Sequence, residues 1–387
     1  MSVPQYTYLC TDLITNQVLG EIPVYGVSLD CQLNTPGNMS ASANLDDPRI
    51  GNADFVARTI PGRTAFWAYR DNQIVWGGII WSRQWVAQGK AFTFTGQTFE
   101  SYATRRYPKS WIGSQVYVYN NVGQCKVIND LWRALQSVQY GNIGVRGVTS
   151  LPNYDFARQV TINGWDLSTS FDDIIQAVLS FSNSPDYTIT WTEDGNGLPI
   201  KQLQVAPIIG NQISTTDLVV DFPGSVANYL YNENAATGNT VWWAVGDGSG
   251  AQQDVGAAQA TALLKQGYPL LEGVNTYSGN TVLNPNAPGI TSTVTLDQYA
   301  QADLATFPIL YPTHSADLFG ERPPTFGTYG LGDYAVFHVQ DGRFPYGATF
   351  TLRVIGWSVQ PPDSGSGVED ITLVFGAQTP TGLVVGG

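Results

Sequence analysis

Arg353-Val354-Ile355-Gly356-Trp357-Ser358, a turn-rich gap from Pro361 to Gly367, and then the alternating run Ile371-Thr372-Leu373-Val374-Phe375-Gly376 read as one β-hairpin. Near the other end, Val75-Trp76-Gly77-Gly78-Ile79-Ile80-Trp81-Ser82 leads through a gap ending at Gly89 into Phe92-Thr93-Phe94-Thr95-Gly96. The one stretch repeats the other. Two such hairpins predict an internal duplication: two related β-units flanking a third region, with residues 73–98 and 352–376 as equivalent strand pairs. Any two hairpins share alternation, so the duplication stands only if both occupy equivalent places in the fold.

The chain has 387 residues, enough for two or three domains. Hydrophobic residues make up 43% and aromatic ones 12%, so a large core is within reach, whereas charged residues are only 13%, roughly half the ordinary share. With 41 Gly and 22 Pro, this composition suits half-buried strands and tight turns better than a helix-rich enzyme. Residues 1–158 carry 13 Lys+Arg against 10 Asp+Glu, and residues 159–387 carry 5 against 21. So acidic a back half repels phosphates, which argues against sequence-specific nucleic-acid binding and suits a wall past which DNA slides, although solubility alone also accounts for it.

Cys10, Cys31 and Cys125 leave an odd thiol over and show no metal spacing, as in a protein assembled in a reducing cytoplasm. The opening Met1-Ser2-Val3-Pro4-Gln5-Tyr6 has no basic and apolar regions of a signal peptide, and no run of eighteen apolar residues occurs. A soluble chain without a membrane span, not exported by the usual route, is expected.

Residues 1–105 read as a strand-rich domain: Tyr25, Val27 and Leu29 on one strand face, a turn at Thr35-Pro36-Gly37-Asn38, a strand from Met39 to Leu45, a short helix within Pro48 to Arg58, and an Asp71-Asn72 hairpin. Residues 106–212 form an α+β middle domain. There Val127, Leu131, Leu135 and Val138 fall at helical spacing closed by Gly141, and Ser170-Phe171-Asp172-Asp173 is a capping box for a second helix. Tyr187 to Trp191 then turns through Glu193-Asp194-Gly195-Asn196-Gly197 into Leu203 and Val205.

Strands resume in residues 213–387 with Leu218 to Val220 and Val241 to Val245. A helix capped by Asp254 and running to Lys265 is expected, then a surface loop at 273–290, then a helix capped at Thr295-Leu296-Asp297-Gln298 and ended by Pro308. Tyr334 to Val339, Thr349 to Val359 and Asp370 to Phe375 are three closing strands that could finish a barrel.

Chemistry is sparse. The two histidines, His314 in an expected loop and His338 alternating with Phe337 and Val339 in a strand, lie in no recognisable catalytic setting. Asp46-Asp47 and Asp172-Asp173 suit helix starts. A glycosidase's two carboxylates need no sequence proximity, so that class stays open. Gly246-Asp247-Gly248-Ser249-Gly250 lacks the Lys-Ser/Thr of a P-loop and the ligands of an EF-hand, and reads as a strand-to-helix turn. No catalytic, cofactor or metal residue is assigned. Trp76, Trp81 and Trp85 within ten residues point to packing between sheets or at a subunit seam, or to a carbohydrate-stacking platform.

Several segments together resemble the tail hub proteins of long-tailed bacteriophages, often labelled minor tail proteins in phages of actinobacteria. They are Thr11-Asp12-Leu13, Leu19-Gly20-Glu21-Ile22-Pro23 and Val75 to Ile79 at the front. Behind them come Gly267-Tyr268-Pro269-Leu270-Leu271-Glu272 with the Thr295 to Leu304 helix, Leu331 to Val336, Phe344-Pro345-Tyr346-Gly347 and Leu352 to Val359. Order and spacing carry this likeness, which covers nearly the whole chain. It implies a mainly β fold with an α+β insertion, two tail-tube-like β-barrel domains flanking a mixed middle region. It further implies a homotrimer whose six β-domains surround a channel for tape measure protein and DNA, at the virion's tail tip, assembled in the host cytoplasm. Its partners would be the distal tail ring above and receptor-binding proteins below, and it would be no enzyme. A wall-carbohydrate binding module using the tryptophans is the second reading, and a cell-wall hydrolase the third.

Overall fold

The computed structural model describes all residues except 1–3, 45, 50, 87–90, 152–156, 181–182, 212–217, 234–237, 278–289, 307–312, 364–366 and 377–387. Gly89, Leu45, Pro308 and most of the 273–290 loop therefore lie outside the described residues. The front of the chain runs β1 (Tyr6–Asp12), β2 (Val18–Glu21), β3 (Tyr25–Gln32), β4 (Asn38–Asn44), α1 (Asn52–Arg58), β5 (Thr64–Arg70), β6 (Gln73–Val86) and β7 (Ala91–Thr98). The alternating burial along β3 and β4 is what the sequence pattern dictates for strands buried on one face.

The middle follows with a 3-10 turn at Phe99–Arg105, α2 (Lys109–Ile112), β8 (Val116–Gly123), α3 (Gln124–Gln136), β9 (Val145–Arg146), β10 (Ala157–Asn163), α4 (Phe171–Leu179), β11 (Asp186–Glu193) and β12 (Pro199–Ala206). The expected capping box at α4 is formed: Ser170 Oγ accepts from Asp173 N at 3.1 Å, and Asp173 Oδ2 accepts from Ser170 N at 2.7 Å.

The rest comprises β13 (Val219–Phe222), β14 (Val226–Asn232), β15 (Val241–Val245), β16 (Val255–Gln259), α5 (Thr261–Lys265), β17 (Glu272–Thr276), α6 (Thr293–Thr306), β18 (Thr313–Phe319), β19 (Tyr334–Val339), β20 (Ala348–Gln360) and β21 (Asp370–Gly376). Three expectations fail here. The helix placed after Asp254 is first a strand, β16, because Val255 to Gln259 pair along β15, so Gly246–Gly250 turns strand to strand. The loop expected at 273–290 opens as β17, parallel to β15. Ser292, not Thr295, supplies the cap-like contact at α6, accepting from Thr295 N at 3.3 Å, since Thr295 already lies inside the helix.

Thirteen strands form one sheet, in which β14-β18-β21-β20-β3-β4-β7-β6-β5-β1-β2 are successive neighbours and β19 bridges β13 to β20. The fold is mainly β, as expected. Among the described residues no closed barrel forms, because the front and back strands share a single continuous sheet.

That sheet contains the duplication. In the front unit the spatial order is β3-β4-β7-β6-β5-β1, and in the back unit it is β14-β18-β21-β20-β19-β13, with both sets visited in the same chain order. β6 pairs with β5 up to Ile79, steps register between Ile80 and Ser82, and continues along β7. β20 pairs with β19 up to Arg353, steps between Val354 and Gly356, and continues along β21. Thus Ile79 matches Arg353 and Ser82 matches Gly356. A further bond repeats: Gly62 N donates to Ile80 O and Gly332 N to Val354 O, each at 2.7 Å, from glycines at φ +71° and +87° where a side chain would be strained. The sixth strand departs from the pattern, since β1 lies antiparallel to β5 and β13 parallel to β19.

One hydrophobic core, including Phe66, Trp76 and Phe94 with Phe337, Trp357 and Phe375, is shared by both units. A second core joins the outer face of β5 and β6, through Trp67 and Ile79, to α3, α4, β11 and β12 of the middle. A third, smaller core of Trp242, Ala244, Ala258, Leu296 and Ala300 belongs to the segment between β14 and β18.

Candidate assembly interface

The parts are held to one another by buried polar bonds. Arg70 Nε and Nη2 grip both carboxylate oxygens of Glu369 at 2.6 and 3.0 Å, and the Tyr6 hydroxyl donates to the same group. This pair ties β5 to the start of β21 in a bidentate geometry that fixes orientation as well as distance. Arg353 on β20 bonds Asp186 of β11, Gly332 O and Ile209 O. Glu100 receives Thr188 Oγ1 and Ile189 N, and burial pushes its carboxyl above the usual range. Lys201 Nζ donates to Leu13 O at 3.0 Å and Ile143 O at 2.6 Å, and burial lowers its pKa to about 7. None of these partners is close in sequence, and no short motif could have disclosed them. Together they suit a frame that keeps its shape.

The sequence-selected side chains scatter. Trp76 is fully buried, with Nε1 on Asp30 O at 2.9 Å; Trp81 is half-buried and donates to Ser101 Oγ at 2.8 Å; Trp85 is 46% exposed. Three tryptophans in three environments do not make one stacking platform. His314 is not in a loop: it lies in β18, buried against Tyr231 and Phe350, and loss of solvent pulls its pKa down to about 4. His338 is exposed in β19, with Nδ1 3.0 Å from Thr349 Oγ1.

Asp47 pairs with Arg49 at the surface, whose guanidinium holds the carboxyl down to about 2, while burial raises that of Asp172. Asp46 and Asp47 lie between β4 and α1, and Asp172 and Asp173 lie in the first turn of α4. Among the described residues no group of three or more His, Cys, Asp or Glu could hold a metal ion, and no helix is long and apolar enough to cross a membrane. The three cysteines are buried and form no disulfide among the described residues.

A cleft of about 760 Å³ opens between the units and the middle region, lined by Arg70, Trp191, Tyr329, Asp333 and Trp357 among others. Its charged groups are already engaged: Arg70 with Glu369, and Asp333 with Gly330 N and Asn211 N. What the surface does offer is unused sheet edge. Exposed apolar side chains, Trp85 and Val86 on β6 and Leu230 on β14, sit on stretches that, among the described residues, are paired on one side only, a feature that isolated soluble chains usually blunt.

No protein-family model matches the chain, and comparison with curated proteins finds no match in sequence. Solved structures do match, among them three over nearly the full length of both partners. The 43 kDa tail protein of prophage MuSo2 from Shewanella oneidensis superposes with a TM-score of 0.62 at 8% identity, covering 96% of this chain and 98% of that one. A tail protein from Neisseria meningitidis MC58 gives 0.58 at 8% identity, covering 96% of each chain. A prophage tail protein from Listeria monocytogenes EGD-e gives 0.53 at 12% identity, covering 95% of this chain and 94% of that one. The mainly β fold that the sequence resemblance implies is therefore found, similar to that of these phage tail proteins, but without closed barrels among the described residues.

Proposed function

We propose that the chain is a structural component of a phage tail: the hub at the distal end, three copies forming a ring of six β-units around a channel for tape measure protein and DNA. The observation that carries this reading is likeness in fold to tail proteins over nearly the whole of both chains. The internal repeat supports it, because two like units per chain let three chains present six similar faces to a sixfold tail ring. Residues 1–105 and 213–387 are the two tube-type domains and 106–212 the α+β domain between them, with 238–306 nested in the last as an appendage. The chain works by position and rigidity and catalyses nothing. Its neighbours are the distal tail ring, the tape measure protein and the receptor-binding proteins of the tip, and its acidic back half keeps passing DNA from sticking. Carbohydrate binding through the tryptophans has less support, because only Trp85 of the three is exposed.

Electron microscopy of virions decorated with antibody against the chain tests this. Label at the tail tip is expected, whereas label along the tail tube or absence from virions would overturn it.

A further inference from the structure

The appendage between β14 and β18 carries a sheet that is covered on one face only. Its strands run in the order β16-β15-β17, with β16 antiparallel and β17 parallel to β15. Trp242, Ala244 and Ala258 pack with Leu296 and Ala300 of α6 in the third core. α6 lies so close that a Cβ on Gly256 would sit 2.4 Å from Asp297 N. Side chains alternate along a strand, so the residues between these point to the opposite face. There the ladders set Ala257, Trp243 and Val274 in one row, with Val255 and Val245 in the next. Val274 is 60% exposed and Val255 38%, and none of the five joins any of the three cores. Parallel pairing is ordinarily found where both faces of a sheet are covered, and an open apolar face marks a place of association.

One charged group stands on that face. Glu272 lies two residues before Val274, and one of its carboxylate oxygens accepts from Trp243 Nε1 at 2.9 Å. Among the described residues no cation meets it. An indole and a carboxylate side by side form a seat for arginine, whose planar guanidinium pairs with the second oxygen and lies over the ring. The wider charge agrees: residues 238–306 carry Asp247, Asp254, Glu272, Asp297 and Asp303 against Lys265 alone. A second appendage is unsuited to this face, because it would set carboxylate against carboxylate.

We propose that the outer face of β16-β15-β17 docks a different protein of the tail, through an apolar patch that presents an arginine. The guanidinium occupies the Trp243–Glu272 seat, and the apolar residues around it cover Val255 and Val274. Tryptophan and arginine at the centre of a desolvated patch are the groups on which binding energy concentrates. The sheet thereby gains cover on its second face.

This inference rests on the tail reading above, since it takes its partner from the virion, and the experiment separates the two. In virions, Val274→benzoylphenylalanine, and the same change at Val255 on the other flank, place a photoreactive group on the face. Irradiation should join both positions to one other virion protein, through a peptide that carries an arginine among apolar residues. Val294→benzoylphenylalanine, at a site 69% exposed on α6, should not reach that peptide. Glu272→Gln keeps an acceptor for Trp243 Nε1 and removes the charge, so it should lower the cross-link yield about fivefold or more without changing the melting temperature of the purified chain. A cross-link confined to residues 278–289 of the same chain, one to a second copy, one to a peptide without arginine, or a yield indifferent to Glu272→Gln overturns this docking face. So does a chain that is present in virions and gives no cross-link, and in all these cases the tail reading stands. A chain absent from virions overturns both.

Discussion

Lys201 and His314 are two residues at which this fold buries a basic group without an opposite charge in contact. For Lys201 the folded pKa, about 7, lies below its unfolded value, so between about pH 7 and about pH 10 the unfolded chain binds the extra proton and stability rises with pH. Lys201→Met should flatten that rise. It also leaves Leu13 O and Ile143 O unpaired, so the slope and not the absolute level is diagnostic, read from melting temperatures across that range. A slope unchanged by the substitution would mean the amine is charged and solvated. His314 acts in the acid range. Its folded pKa of about 4 lies below the unfolded value, so stability is lost as pH falls from about 6.5 towards 4. The equivalent position in the front unit holds buried Met39, because Met39 pairs with Gly96 as His314 pairs with Phe375. His314→Met should therefore be accepted by the core and remove part of the acid sensitivity, measured by urea unfolding at about pH 4.5 and about pH 7. Neither group was legible in sequence. His314 sits among Pro312, Thr313 and Ser315, residues that read as a loop, and only its pairing with β14 and β21 makes it a core position.

At the scale of elements, hairpins and the Ser170 capping box were the readable part, since alternation and a Ser-x-x-Asp spacing are local signals, whereas the caps read at Asp254 and Thr295 were not formed. The Asp71-Asn72 turn, the capping box at Ser170 and the strands of the last third fall where the sequence puts them. What local pattern could not set was register. The shared Trp-Ser pairs, Trp81-Ser82 and Trp357-Ser358, invite an alignment two residues away from the one the ladders make, in which Trp81 matches Ile355 at the bulge. Likewise Val255 to Gln259, rich in Gly and Ala, has little strand character of its own and becomes a strand because β15 offers an edge. The glycines of the front hairpin have a steric cause: a Cβ on Gly78 would lie 2.3 Å from Gln97 O and 2.3 Å from the Trp76 ring. Gly78→Ala should cost about 1–3 kcal/mol in urea unfolding, since neither a ladder carbonyl nor a buried indole can retreat freely. Gly195→Ala, with nothing within 4 Å, is the control and should stay within about 0.5 kcal/mol. Equal effects at both sites would remove the steric account.

For the molecule as a whole, composition excluded more than it assigned. Few charges, many aromatics and an acidic back half argued against a helix-rich enzyme and a nucleic-acid reader, and the fold is mainly β, similar to that of the superposed tail proteins. The single sheet shared by both units, the buried Arg70–Glu369 and Arg353–Asp186 bridges, and the Lys201 amine between two carbonyls arise from partners far apart in the chain. They give one rigid frame with an incomplete edge at each unit. On the ring reading proposed above, the chain completes its sheet by association. Native mass spectrometry of the purified protein, over a range of concentrations, tests this most directly. A closed species of three chains, with no tendency to grow further, is the predicted result; a monomer at all concentrations, or an open-ended series of oligomers, would contradict it.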